Sequence, residues 1–371
     1  LVDFDQSQCV AVVNDMDLSP LNLGMIASFY NVSYATIDVF HLSLSGTTKL
    51  RGMLEIVSSA SEFETVPIRR HEDVLLRRIY DRMPLKLDKI RFENPFHKTF
   101  VLLQAHFSRL TLPADLAQDQ RDILNRVLTL LNACVDVMSS GAMLNAIVAM
   151  EISHMCVQAV WDRDSPLRQV PHFTAATIQR CQARGIHDVY ALADVLPDMS
   201  QHERDELLQL NKRQLADVAT LTNEFPYVDI EFDILDKEKL DSASTIILQA
   251  KLERDVDEEE EEPSDPTAIA PFYPSPKMTA WWLVIGDPGT NSLLSIKRVT
   301  IAKTLDVRLE FMLPAGMHDK LKLYLMCDSY IGADRELEVP ALHVAQGEED
   351  EELDDEDNIE TVSYTHLTLP T

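Results

Sequence analysis

The 371-residue chain carries 61 Asp and Glu against 33 Lys and Arg, a formal net charge of −28, and 46% of its residues are hydrophobic. The hydrophobic content excludes a wholly disordered chain, and the charge excludes a surface wrapped uniformly around nucleic acid. Five cysteines at long spacings (Cys9, Cys134, Cys156, Cys181 and Cys327) include no CxxC pair, which speaks against a zinc ribbon or disulfide framework and fits a reducing compartment.

The chain opens without methionine on a strand-like run, Cys9 to Val13, so residues 1–18 read as the end of a preceding domain in a longer polypeptide. From Pro20 to Trp161 apolar residues recur at helical spacing: Leu23, Ile26, Ala27 and Tyr30, then Leu50, Leu54 and Val57. Further helices are expected over Glu72–Arg82, Thr99–Arg109, Asp119–Ser139 and Ala142–Trp161, with breakers at Met83-Pro84, Asn94-Pro95 and Leu112-Pro113. Short connections of this kind favour a helical bundle over residues 19–161.

Residues 162–226 read as a helix-loop-helix module of three short helices, with Thr174 and Ser200 as N-caps and Gly185 and Pro226 as stops. After Pro226 the period changes to two, as Val228, Ile230, Phe232 and Ile234 alternate with acids. Similar runs at Ile246–Leu252, Trp281–Gly286, Leu293–Ala302, Val307–Leu313 and Leu321–Cys327 give six or seven strands over residues 227–345, the count of an immunoglobulin-like or fibronectin-like sandwich. The fold class expected is therefore multidomain, α then β.

Two runs hold much of the excess acid. Glu253 to Asp265 carries nine acids and one arginine, and its part from Asp255 to Asp265, falling between strands, is expected to be a mobile loop. Residues 346–371 are expected to be a disordered acidic tail, and Ser363 to Thr371 turns abruptly neutral and β-prone, as an out-of-frame or foreign ending would. Without these runs the remainder is only moderately acidic, so local basic surfaces stay open.

A phosphate loop needs lysine beside its glycines, and the nearest match, Gly286-Asp287-Pro288-Gly289-Thr290, has none and joins two expected strands instead of opening a helix. Asp257 to Glu260 lies in a charge run with no apolar strand to aim it at a metal. No HExxH pair or GxSxG elbow occurs, and Cys134 and Cys156 sit on apolar helical faces. No catalytic, cofactor-binding or metal-binding set emerges. No apolar run approaches the ~20 residues of a membrane span, and no signal peptide opens the chain.

The positive feature is a basic segment, Arg69, Arg70, Arg77, Arg78, Arg82, Lys86, Lys89 and Arg91. It could face phosphate or an acidic protein, or its arginines could pair with Glu72, Asp73, Asp81 and Asp88. Arg121 and Arg126 on the long helix, and Lys212 and Arg213 in the helix-loop-helix region, are further candidates for RNA or partner contact. Trp281 and Trp282 read as sandwich core plus an exposed neighbour.

The wording itself carries a resemblance. Leu21 to Tyr30, Val66 to Leu76, Leu102 to His106, Asp164 to Phe173 and Trp281 to Arg298 resemble, in order, the domain named after the translocation protein Sec sixty-three. Among carriers of that domain the wording is most similar to the C-terminal cassette of the large spliceosomal RNA helicases of the Ski-two-like family. The resemblance implies a seven-helix bundle, a helix-loop-helix module and an immunoglobulin-like sandwich. It also implies a parent that unwinds small nuclear RNAs in the nucleus, with ATP and Mg bound by upstream RecA-like domains and no cofactor in this piece.

In active members a long bundle helix grips the translocating strand with basic and polar side chains. The matching helix here offers Thr129, Asn132 and Asp136 on its inner turns, a departure that fits a platform for spliceosomal proteins and for the remainder of the helicase chain. Direct RNA gripping is the second reading. Protein translocation at the endoplasmic reticulum is a third, and it should bring membrane spans and a J-domain that are not visible.

Overall fold

The structure is a computed structural model that describes residues 6–13, 17–255 and 267–347. The mobile-loop expectation over residues 256–265 and the tail expectation beyond residue 347 lie outside the described residues, as does part of the 1–18 segment. The chain is mixed, with helices preceding antiparallel sheets.

Strands β1 (Val10–Val13) and β2 (Asp17–Pro20) form an antiparallel hairpin. It docks on α1 (Asn22–Tyr30), where a Cβ on Gly24 would sit 2.0 Å from the Cys9 carbonyl oxygen. Only glycine permits that approach.

Helices α2 (Tyr34–Ser43), α3 (Leu50–Ser58), α4 (Asp73–Asp81), α5 (Pro95–Phe107), α6 (Ala114–Ser140) and α7 (Ile147–Gln158) complete the helical layer. Asn94-Pro95 starts α5 where the sequence suggested a break. The Asn94 side chain accepts from the Phe96 and His97 amides, and Pro95 takes the first turn, where a missing N–H costs nothing. Every residue from Lys98 to Phe107 is buried. Helix α6 hides Leu116, Ile123, Leu124, Val127, Leu130, Leu131 and Cys134 at helical spacing, each fully buried leucine contributing about 1.5–3 kcal/mol.

A short 3₁₀ turn, Pro166–Gln169, leads to four further helices where three were expected: α8 (Ala175–Ala183), α9 (Val189–Val195), α10 (Gln201–Leu208) and α11 (Lys212–Glu224). The additional helix, α9, begins at an Asp188 cap that the sequence reading missed. Thr174 and Ser200 do cap α8 and α10, Ser200 in a reciprocal box with Glu203.

Strands β3 (Val228–Ile234), β4 (Ile246–Arg254) and β7 (Thr304–Phe311) form one sheet in the order β3-β4-β7. A second sheet runs β10-β9-β5-β6, with β5 (Trp281–Asp287), β6 (Ser292–Val299), β9 (Lys322–Cys327) and β10 (Arg335–Glu338). Strands β8 (Gly316–His318) and β11 (Leu342–Val344) pair separately. Gly286 to Thr290 spans the β5–β6 turn.

The second sheet is covered on both faces. Trp281, Leu283, Ile285, Leu323 and Leu325 share a core with Leu248, Ala250 and Leu309 of the first sheet. Trp282, Val284, Ile296, Tyr324 and Met326 share the core of the helical layer. Trp282 is therefore buried, at 2% exposure, and the expectation of an exposed neighbour to Trp281 is corrected. Polar bonds bind the same seam: the Gln158 amide donates to the Ser329 carbonyl at 2.7 Å, and the Leu293 amide to the Ala142 carbonyl at 2.9 Å.

Candidate interaction surface

Arg69 does not stand free on the basic segment. Its guanidinium meets Asp119 of α6 at 2.9 Å and Glu72 at 3.1 Å. Lys98 of α5, fully buried, donates to Glu72 at 2.8 Å, Asp119 at 2.7 Å and the Pro67 carbonyl at 2.6 Å. Two cations and two carboxylates thus close on one another under the turn before α4. Burial alone would push the Asp119 carboxyl up, but hydrogen bonds from Arg69 and Lys98 outweigh it and hold the group below its usual range.

The other cations of the segment are exposed: Arg70, Arg77, Arg78, Arg82, Lys86, Lys89 and Arg91. Among the described residues none of them has a carboxylate partner. Of the pairings the sequence suggested, only Arg69–Glu72 forms; Asp88 is taken by Arg51 of α3 at 3.4 Å. Arg77 lies over the Phe92 ring at 5.1 Å and Lys86 over Tyr80 at 4.3 Å.

Arg121 and Arg126 are exposed on α6, bonded to the Gln118 side chain and the Glu62 carbonyl. Arg126 borders a polar recess of about 380 Å³ that also contains Glu62, Asp119, Asp122 and Asn125. Farther along α6, Asp136 accepts from the Tyr30 hydroxyl at 2.7 Å. Burial pushes its carboxyl up to about 6, against the lowering effects of that bond and of the Arg298 charge. Lys212 and Arg213 begin α11, exposed and without a carboxylate partner among the described residues. The candidates therefore fall on three elements instead of one groove.

Sequence reading missed several members of these clusters. Lys98 stands alone in an apolar helical run, a signal that could have flagged it. Arg298 left no such signal; it stacks on Trp282 at 3.7 Å and pairs with Asp328, which also takes Lys277 at 2.6 Å. Nor did Arg109, which packs on Phe272 at 4.0 Å while donating to the Gln158 and Ala159 carbonyls at the end of α7. All five cysteines are buried, and burial pushes the Cys156 and Cys327 thiols well up. No helix among the described residues is long and apolar enough to cross a membrane.

A family model described as the Sec63 Brl domain matches residues 20–340. The U5 small nuclear ribonucleoprotein 200 kDa helicase of Homo sapiens is 42% identical over 95% of this chain. Its Drosophila melanogaster counterpart is 45% identical over 91% of the chain, and the pre-mRNA-splicing factor brr2 of Schizosaccharomyces pombe is 46% identical over 91%. This chain spans only 15–16% of the length of these relatives. A protein named for an activating signal cointegrator complex in Dictyostelium discoideum is 41% identical, so the similarity extends beyond proteins named for splicing. The match over residues 20–340, carried by the segments that also build the helical layer and the two sheets, shows that the chain belongs to the Sec63 Brl domain family.

Proposed function

We propose that this chain is the non-catalytic accessory and protein-docking module of an ATP-dependent RNA helicase that unwinds small nuclear RNA duplexes in pre-mRNA splicing. It belongs to the second cassette of that helicase and works in the nucleus. ATP and Mg are bound by RecA-like domains elsewhere in the longer polypeptide, and partners are spliceosomal proteins and the rest of the helicase. The relatives' names support the parent activity. In this reading residues 19–161 are the bundle, 162–226 the helix-loop-helix module and 227–345 an immunoglobulin-like sandwich. The strand orders β3-β4-β7 and β10-β9-β5-β6, facing each other across one core, support the last assignment.

One observation carries the platform reading. Strand β5 is buried on both faces, Trp281 toward the opposing sheet and Trp282 toward the helices, so sheets and bundle present partners with one fixed surface. The inner turns of α6 agree with it, because Thr129, Asn132 and a tyrosine-bonded Asp136 stand where cations would be needed to pair with phosphate. The test is ATP turnover by the purified chain. None should occur with or without RNA, and robust hydrolysis would overturn the proposal.

The second reading is direct RNA gripping through Arg69, Arg70, Arg77, Arg78, Arg82, Arg121, Arg126, Lys212 and Arg213. The exposed cations without carboxylate partners favour it. It predicts salt-dependent affinity of the isolated chain for single-stranded RNA, whereas docking alone predicts none at low salt.

A further inference from the structure

We propose that the exposed face of α4 and the turn after it dock an acidic protein segment. The inference rests on the protein-docking reading and names the surface and the partner's chemistry. Its basis is what the fold does to the local acids. Glu72 is turned inward to Lys98, at 7% side-chain exposure, and Asp88 is drawn to Arg51 on a neighbouring helix. The side chains of Arg78 and Arg82, one turn apart, make no hydrogen bond, ion pair or ring contact among the described residues, and neither do those of Arg70, Lys89 and Arg91. Arg77 adds its charge while resting on Phe92, which brings the helix face and the later turn together. A basic face in a chain of net charge −28 is a local feature, held by folding against the overall field.

The same geometry favours carboxylates over single-stranded RNA. Base recognition needs an open ring face for stacking. The two rings here, Tyr80 and Phe92, are 7% and 6% exposed, and each already carries a cation on its face. What remains is a set of guanidinium groups, which pair bidentately with carboxylate and phosphate alike, so the preference for an acidic peptide comes from the covered rings that leave bases nothing to stack on.

The full chain is titrated at low salt into a fluorescein-labelled peptide rich in Glu and Asp and, separately, into labelled oligouridine, following anisotropy. The peptide should bind, and the pair R78E and R82E should weaken it by about tenfold or more. The pair K303E and R308E, an equal charge change at and just before β7, should leave binding unaltered. Circular dichroism confirms folding, which neither pair should disturb because these side chains are exposed and carry no contacts. Three results overturn the proposal: no peptide binding at low salt, equal weakening by both pairs, or tighter oligouridine binding that R78E and R82E abolish. ATP turnover by the chain would instead sink the platform reading, whatever the peptide does.

Discussion

Replacing Lys98 with methionine keeps the length of the side chain and deletes its charge. The ammonium is fully buried and serves Glu72, Asp119 and the Pro67 carbonyl within 2.6–2.8 Å. Its loss leaves two nearly buried carboxylates, at 7% and 2% side-chain exposure, to share one half-exposed arginine. Breaking a buried ion pair in this way costs about 3–5 kcal/mol, and the orphaned carbonyl adds about 1 kcal/mol. That is a large part of the ~5–15 kcal/mol typical of a folded domain. Urea unfolding followed by circular dichroism would measure it. The sign with pH also follows. Asp119 is held below its usual range, so its contribution is full above the unfolded carboxylate value of about 4 and is lost as pH falls through the folded value. The deficit of Lys98→Met should therefore be greatest at neutral pH and shrink in acid, and adding Asp119→Asn should recover part of it. A deficit under about 1 kcal/mol at neutral pH, or one that persists unchanged near pH 3, would refute the reasoning.

Three further outcomes are expected. Asp136 is raised to about 6, so it stabilises the fold when protonated and less as pH rises through that value; Asp136→Asn should flatten stability between about pH 4 and 7 and gain up to about 3 kcal/mol at neutral pH, read by thermal melts. Trp282→Ala should cost about 3–5 kcal/mol and increase amide exchange in both α7 and β9, whereas a loss confined to the sheet would contradict the shared seam. Gly24→Ala should displace the β1–β2 hairpin, because the new Cβ meets the Cys9 carbonyl, and faster amide exchange at the hairpin pairing checks it.

Much of the secondary structure was legible. Period-3.6 runs located the buried faces of α1, α3, α4 and α6, and period-two runs located β3, β4 and β7, because each of these elements buries one face and exposes the other. Where an element is buried all round the pattern vanishes: α5 hides ten consecutive residues, and its start was placed at Thr99 instead of Pro95. Asn94-Pro95 looked like a stop, although the same pair is a cap and first turn when the asparagine side chain bonds forward.

The surface was legible only as a list of charges. Sequence spacing paired the arginines of α4 with four nearby acids, but distant segments took two of them, Glu72 to a lysine on α5 and Asp88 to an arginine on α3, while Asp73 and Asp81 stay on α4 and form no ion pair among the described residues. Which cations remain unpaired is a three-dimensional result.

The amino-acid sequence by itself determined the order of helices before strands, the Thr174 and Ser200 caps and the absence of a membrane-length apolar run, since these depend on local periodicity and on residues within a turn of one another. Only the tertiary structure decided that Trp282 is buried against the helices, that Lys98 sits inside a closed charge cluster and that the arginines of α4 are left without carboxylate partners among the described residues. Each of these depends on which distant surfaces meet, and burial makes a charge or a ring behave according to its neighbours in space, whatever stands beside it in the chain.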